Sequence, residues 1–468
     1  MTELKHRFLP VDKVDSIKDT SKYTVLKKLQ DFSFQSVATF SSDEKNINGS
    51  NNHSSSSTSL ISGGFGLLKK AVVGTVHHSE NKVETQTFYF TDLDSGKCGL
   101  IQFVFSKVMG GLYKSVQLNF KLFSSDPNEN KAFNFWQTIK LGEIIKFTDL
   151  EFKTKECSMK IKNTKDKSSF GKMVLKVDID NYCHPSDSEE SDNNEQHDHI
   201  HNTDSSISLH IFLNVYLTGE GFKINNNGCN YYFDKLTTEL ESNKFVRHVF
   251  IPRGRAKGEI KVKSEKLMGG KEQILTLKEV PTLYIGAVQA LKPHKAAKAW
   301  NFVNYQSKDT AIVVMEFTTI KEYGGPLTVT FGCVHHKGKL VEVYSNNKPV
   351  SLNAEEYQGS NGYKADERDG YRRINCVQKN KVEGKTQRVW KVPTAIECPE
   401  KLLFSENNLQ LVATYDIIKE LPSIVRKLIE NIAGIKPYLF QYCQNSTVEI
   451  HGHEEKGISI VECTYITK

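Results

Sequence analysis

Residues 171–182, GKMVLKVDIDNY, and residues 208–219, SLHIFLNVYLTG, set the fold class of this chain. In the first stretch Met173, Leu175, Val177 and Ile179 alternate with polar neighbours. In the second, Leu209, Ile211, Leu213, Val215 and Leu217 do the same. A period of two puts every apolar side chain on one face of an extended strand, which is the pattern of a sheet with one face buried. Between them, residues 183–206 read CHPSDSEESDNNEQHDHIHNTDSS. No apolar run there offsets the entropy of ordering, so disorder is expected. Strand patterns on both sides make this segment a long hairpin loop inside one sheet, not a domain boundary.

The same alternation recurs outward in both directions. TFYFTDLDSGKCGLIQFVFS, from Thr87, reads as a hairpin, with Asp94-Ser95-Gly96 supplying turn chemistry. SVQLNFKLF places Val116, Leu118, Phe120 and Leu122 on one face. RHVFI, KGEIKVK, TLYIGAV, TAIVVMEFTTI, PLTVTFGCVHH, TQRVWKV, STVEIHG and GISIVECTYI extend the series to the C-terminus. Many short strands with turns between them indicate sandwiches or barrels. About eight antiparallel strands can close around one small ligand. Two short helices are expected, PSIVRKLIENIAG (422–434) and KPHKAAKAW (292–300).

Composition excludes several classes. In 468 residues, 38% are hydrophobic and 25% charged, as in a water-soluble protein. No run of 18 apolar residues marks a membrane span, and the N-terminus carries no signal-peptide core. Nine scattered cysteines without a CxxC pair fit a reduced, cytoplasmic chain. The net charge is +7, although the 183–206 loop is wholly acidic among its charged residues, so the body is more basic than the total. That charge suits an anionic membrane surface or plain solvation, and is too dilute to predict nucleic-acid binding.

Catalytic signatures fail position by position. Gly384-Lys385-Thr386 resembles the end of a phosphate loop, but Lys379 stands where its first glycine belongs. Gly219-Glu220-Gly221 runs on to Ile224 instead of glycine. HGHEEKG has Gly457 where a zinc protease needs its second histidine. His197, His199 and His201 alternate within the acidic loop, but nothing there fixes a ligand geometry, so neither metal nor cofactor is expected. The segment 59–76, SLISGGFGLLKKAVVGTV, is more suggestive. Wound as a helix it gathers Leu60, Ile61, Phe65, Leu67, Leu68 and Val72 on one arc flanked by Lys69 and Lys70, a face suited to a membrane interface or to packing on a barrel.

Residues 284–325, YIGAVQALKPHKAAKAWNFVNYQSKDTAIVVMEFTTIKEYGG, closely resemble the fungal survival factor 1 family. So do 420–442, ELPSIVRKLIENIAGIKPYLFQY, and 247–260, RHVFIPRGRAKGEI. The resemblance implies an all-β chain of two consecutive lipocalin-like antiparallel barrels with a few short helices. It also implies a non-enzymatic carrier of ceramide or a related sphingolipid from endoplasmic reticulum to Golgi, linked to survival of oxidative stress. Members of that family carry an amphipathic N-terminal helix for Golgi contact. Here the first residues, MTELKHRFLP, are charged, so peripheral membrane contact is either lost or assigned to 59–76.

The expected layout is an N-terminal extension (1–40), a low-complexity insertion (41–79), a first barrel (80–255) and a second (256–468). A lipid with two long chains needs a dry cavity and a few polar groups. His294, Trp300, Asn301, Phe302, Asn304, Tyr305, His248 and Arg253 are the candidate lipid-binding residues. The same residues serve equally as barrel core, with Arg253 as a bridge between barrels. Two other readings stay open: a cofactor-free hydratase or isomerase acting on a hydrophobic substrate, and a stress-related interaction protein with filled barrels.

Overall fold

The computed structural model describes residues 6–14, 18–27, 82–108, 113–148, 150–183, 206–225, 227–265, 267, 270–324, 326–349, 378–382, 385–392, 402–406, 410–416, 438–450 and 453–466. The segment 59–76, the histidines of the acidic loop and the helix expected at 422–434 lie outside them.

The described chain is an all-β protein of two successive antiparallel sheets. The first contains β1 (Arg7–Leu9), β2 (Tyr23–Leu26), β3 (Lys82–Thr91), β4 (Lys97–Val108), β5 (Tyr113–Ser124), β6 (Phe135–Lys140), β7 (Lys146–Thr148), β8 (Glu151–Lys153), β9 (Cys157–Lys162), β10 (Gly171–Tyr182), β11 (Ile207–Leu217), β12 (Gly221–Ile224), β13 (Cys229–Phe233), β14 (Phe245–Ser264) and β15 (Gln273–Gln289). Its main path runs β6-β5-β4-β3-β15-β14-β11-β10-β9-β8-β7. The sheet curls in the lipocalin-like manner, and the Lys140 amide donates to the Tyr182 hydroxyl at 3.0 Å between its two flanks. The second contains β16 (Ala299–Ser307), β17 (Thr310–Thr318), β18 (Leu327–His336), β19 (Lys339–Pro349), β20 (Gln378–Val382), β21 (Lys385–Val392), β22 (Leu402–Glu406), β23 (Leu411–Asp416), β24 (Tyr438–Ile450) and β25 (His453–Tyr465). Its order is β19-β18-β17-β16-β25-β24-β22-β21-β20, with β23 on β24. Two short α-helices are described, α1 (Pro127–Phe133) and α2 (Pro293–Ala296).

The hairpin expected around the acidic loop is present as β10 and β11, with Met173 opposite Val215 and Val177 opposite Ile211. RHVFI and KGEIKVK, read as separate strands, are one 20-residue strand, β14. Register shifts between Ile251 and Gly254 and between Ala256 and Lys257 absorb the Pro252–Arg253 interruption. At Gly258 the backbone takes φ +145, and a Cβ would stand 2.0 Å from the Phe212 carbonyl oxygen, so only glycine fits.

The junction between the sheets differs from the expected 255/256. β14 runs through that position, and β15 pairs with both β14 and β3. The sheet changes between Gln289 and Ala299. The expected helix 292–300 shrinks to α2, because Ala299 and Trp300 already pair with Tyr465 and Thr464 of β25. Nor is the N-terminal extension a separate piece. β1 pairs with β13, β2 pairs with β12, and Val14 bridges to Ser345 of β19.

The interior of the first sheet is packed with side chains. Phe103, Phe105, Phe120 and Phe152 are buried to 1% exposure or less. Phe152 meets Phe103 at 4.8 Å and Phe105 at 5.2 Å between ring centroids, both edge-on. These rings pack against one another as a buried aromatic core within the first sheet. Phe152→Ala is therefore expected to destabilise the protein by about 3–5 kcal/mol in chemical denaturation, the cost of a cavity in a packed core. A loss below about 1 kcal/mol would indicate a loosely filled interior.

Candidate functional site

Strands β3, β4 and β15 bury both faces. Phe88 and Phe90 point into the first sheet's interior, while Tyr89 joins a second apolar cluster with Leu100, Leu283 and Ile285. That cluster continues on the second sheet through Phe302, Phe317, Phe331 and Ile460, so the two sheets dock face to face. Tyr89 and Phe302 meet across the junction at 5.4 Å between centroids. Within it a partly open cleft of about 190 Å³ is lined from one side by Thr85, Thr87, Gln102 and Ala287, and from the other by Trp300, Phe302, Met315, Glu462 and Thr464.

Glu462 comes from β25, where Ile458, Ile460, Glu462 and Thr464 share the face turned to the junction. Its carboxylate accepts from the Tyr89 hydroxyl at 3.1 Å and from the Gln441 amide. The side chain is half-buried, its accessible edge facing the cleft. Burial raises its pKa above the usual carboxyl value, against the opposing pull of Gln441, the Lys121 charge and Tyr89. His248 of β14 lies among aromatic rings, with centroids 5.8 Å from Trp300 and 5.4 Å from Phe331. Burial, with the Arg247 charge second, pushes its pKa down to about 3, so the ring is neutral, and its Nδ1 has no hydrogen-bond partner.

Lys121 of β5 is fully buried between the sheets, and its Nζ makes no hydrogen bond. The ammonium stands 4.2 Å from the Tyr415 ring centroid and 5.3 Å from that of Phe123. Burial lowers its pKa to about 7, partly countered by Glu462. Towards a ligand, then, the cleft offers hydroxyl, amide and imidazole groups, and a carboxyl group whose pKa burial raises, between apolar walls.

Four of the eight candidate residues line this cleft: His248, Trp300, Asn301 and Phe302. The side chain of Asn301 belongs to the opposite face of β16, where its Nδ2 donates to Glu316 Oε1 at 3.1 Å. Tyr305 shares that inner face and donates to the Glu455 carbonyl at 2.7 Å. Asn304 is fully buried and accepts from Gln306 Nε2 at 2.9 Å. Arg253 joins the sheets: Nη1 donates to Gln306 Oε1 at 2.8 Å and Nη2 to the Lys308 carbonyl at 2.6 Å. His294 sits half-buried on α2, its pKa lowered by burial, away from the cleft lining. Sequence reading missed Glu462, Tyr89 and the threonines. One signal existed, an acid on the apolar stripe of Ile458 and Ile460.

At the β10–β11 hairpin, His210 Nδ1 lies 2.7 Å from Asp178 Oδ1, and its Nε2 lies 3.3 Å from Asp180 Oδ1. Asp178, Asp180 and His210 thus offer one potential ligand atom each, all within 4.8 Å of one another, with both aspartates exposed. Among the described residues no helix is long and apolar enough to cross a membrane.

Comparison with known proteins adds four findings. The sequence pattern of the Svf1 family matches residues 5–467. An SVF1-like protein of Saccharomyces cerevisiae is 34% identical over 474 residues, covering 99% of this chain and 98% of the relative. A ceramide-binding protein, SVF1 of Candida albicans, is 29% identical over 392 residues, covering 82% of this chain and 85% of the relative. Among solved structures, kievitone hydratase from Nectria haematococca is superposed at TM-score 0.40 with 10% identity, over 85% of this chain and 95% of that one. Such similarity is too low to carry an activity across.

The two shifted groups give pH signatures of the same sign in different windows. The folded pKa of His248, about 3, lies below the ordinary 6.5, so its neutral form contributes stability above about 6.5 that is lost as pH falls towards 3. Relative to wild type, His248→Phe should therefore gain stability progressively from pH 6.5 down to pH 4 in urea denaturation. The folded pKa of Lys121, about 7, lies below the ordinary 10.5, so wild-type stability gains from its deprotonation as pH rises from 7 towards 10.5. Lys121→Met should lack that gain, and its stability advantage over wild type should shrink across the same window. Constant differences across these windows would contradict both assignments.

Proposed function

The chain belongs to the Svf1 family, and from that premise we propose that it binds and carries ceramide or a related sphingolipid, with the lipid's polar head in the cleft between the sheets. The observation that carries this reading is the cleft's chemistry: neutral donors and acceptors set between apolar walls. A ceramide head is an uncharged amide with hydroxyls. It is complementary to Thr87, Gln102, the unpartnered His248 Nδ1 and the Glu462 carboxyl. A volume of about 190 Å³ holds a head and not two acyl chains. The chains follow the apolar seam beside Ile285, Phe302 and Met315, where each buried CH₂ contributes about 0.8 kcal/mol. Transfer from endoplasmic reticulum to Golgi, peripheral membrane contact through 59–76 and a part in surviving oxidative stress complete the proposal.

A second reading is favoured by one observation. Glu462 and His248, an acid with raised pKa and a base with lowered pKa, border the same cleft, and such pairs serve acid–base catalysis. A hydratase or isomerase acting on a hydrophobic substrate would use them.

Delipidated protein incubated with vesicles containing labelled ceramide separates the readings. A carrier withdraws the lipid into the soluble fraction and returns it with its mass and chain structure unchanged. An enzyme returns a product altered by one water or an isomer. Ala287→Trp fills the cleft from its rim and should lower extraction at least tenfold without moving the unfolding midpoint. Failure to extract any lipid, from ceramide or from mixed vesicles, would sink the carrier reading.

A further inference from the structure

Two thiols from different sheets touch at the floor of the junction. Cys98 lies on β4 and Cys443 on β24, 345 residues apart in sequence, with their sulfurs 4.0 Å from one another. Both are at 0% exposure within the apolar cluster that joins the sheets. We infer that a peroxide oxidises this pair to a disulfide that staples the first sheet to the second.

The geometry asks for a small movement. A disulfide brings its sulfurs to about 2.05 Å, so the pair must close by roughly 2 Å. The two sheets already come together here. The backbones of β24 and β5 approach to within 8 Å. Ser125 Oγ donates to Asn445 Oδ1 at 3.2 Å, and Asn134 Nδ2 donates to the Val412 carbonyl at 2.7 Å. Lys121, beside Leu100 on the neighbouring strand, is the buried cation of this region, and its charge interacts with Cys443.

The chemistry balances with the peroxide as two-electron oxidant. The Cys443 thiolate attacks one peroxide oxygen, the O–O bond breaks, and a sulfenic acid and one water form. The Cys98 thiolate then attacks the Cys443 sulfur, expelling hydroxide, which takes a proton to become a second water. Two thiol protons and two electrons leave, and one S–S bond forms. Because both thiols are enclosed, the peroxide enters when the sheets part locally, so the reaction is slower than at the exposed Cys183.

The full-length reduced protein, titrated with hydrogen peroxide, alkylated and digested, tests this. The expected product is a cross-linked peptide pair carrying Cys98 and Cys443, lighter by two hydrogen atoms. Its yield should track a rise in unfolding midpoint that dithiothreitol reverses, since the bond closes a very long loop in the unfolded chain. Cys98→Ser should abolish the cross-link and the rise, and Cys443→Ala serves if the first variant folds poorly. If Cys183 is fully oxidised while Cys98 and Cys443 remain alkylatable after unfolding, or if either links to another cysteine instead, the inference is overturned. The outcome does not depend on which ligand the cleft holds.

Discussion

The constraint on which this structure depends is that the central strands of both sheets are apolar on two faces. One face of β3 turns Phe88 and Phe90 inward, and the other turns Tyr89 outward. A sheet with one face wet would show polar residues at Tyr89, Leu100, Leu283 and Ile285. Exposed together they would form a large apolar patch, which folded proteins avoid. The second sheet supplies the cover through Phe302, Phe317 and Phe331. Docking is therefore part of folding, and the cleft is the place where that docking is incomplete.

Polar groups buried in such a junction oppose folding unless they are satisfied. Several are not: His248 Nδ1, Asn304 Nδ2 and Lys121 Nζ have no hydrogen-bond partner. Apolar side chains of similar shape would hold the sheets together better. Of the three polar groups, His248 lines the cleft, and Asn304 and Lys121 lie outside its lining. The first sheet's interior is lined by buried phenylalanines in edge-on contact.

The rims of the junction are held more firmly than its middle. Arg253 reaches Gln306 and Lys308 at one edge, and Gln306 returns a hydrogen bond to the Pro252 carbonyl at 3.1 Å. At another, the N-terminal residues pass from the first sheet to the second: Val11 and Val14 are buried, and Asn347 donates to the Val11 carbonyl at 3.0 Å. These ties fix the relative placement of the sheets at the edges, while the centre combines apolar contact with the Tyr89–Glu462 hydrogen bond. Hydrogen bonds at the edges are directional, whereas apolar contact tolerates repacking around a guest.

By itself the sequence determined the strand class, the β10–β11 hairpin and most strand positions, because period-two alternation is a local property of the backbone. It also pointed to Trp300, Phe302 and His248. It did not show that RHVFI and KGEIKVK are one strand, because Pro252 and Gly254 read as a break where the sheet makes a bulge. It did not place the change of sheet after Gln289, because sheet membership depends on pairing partners far away in the chain. Only the tertiary structure decided which face of a two-faced strand meets a packed interior and which meets the other sheet. That choice brings Glu462 to Tyr89, separated by 373 residues. It also turns Asn301 and Tyr305 away from the residues that flank them.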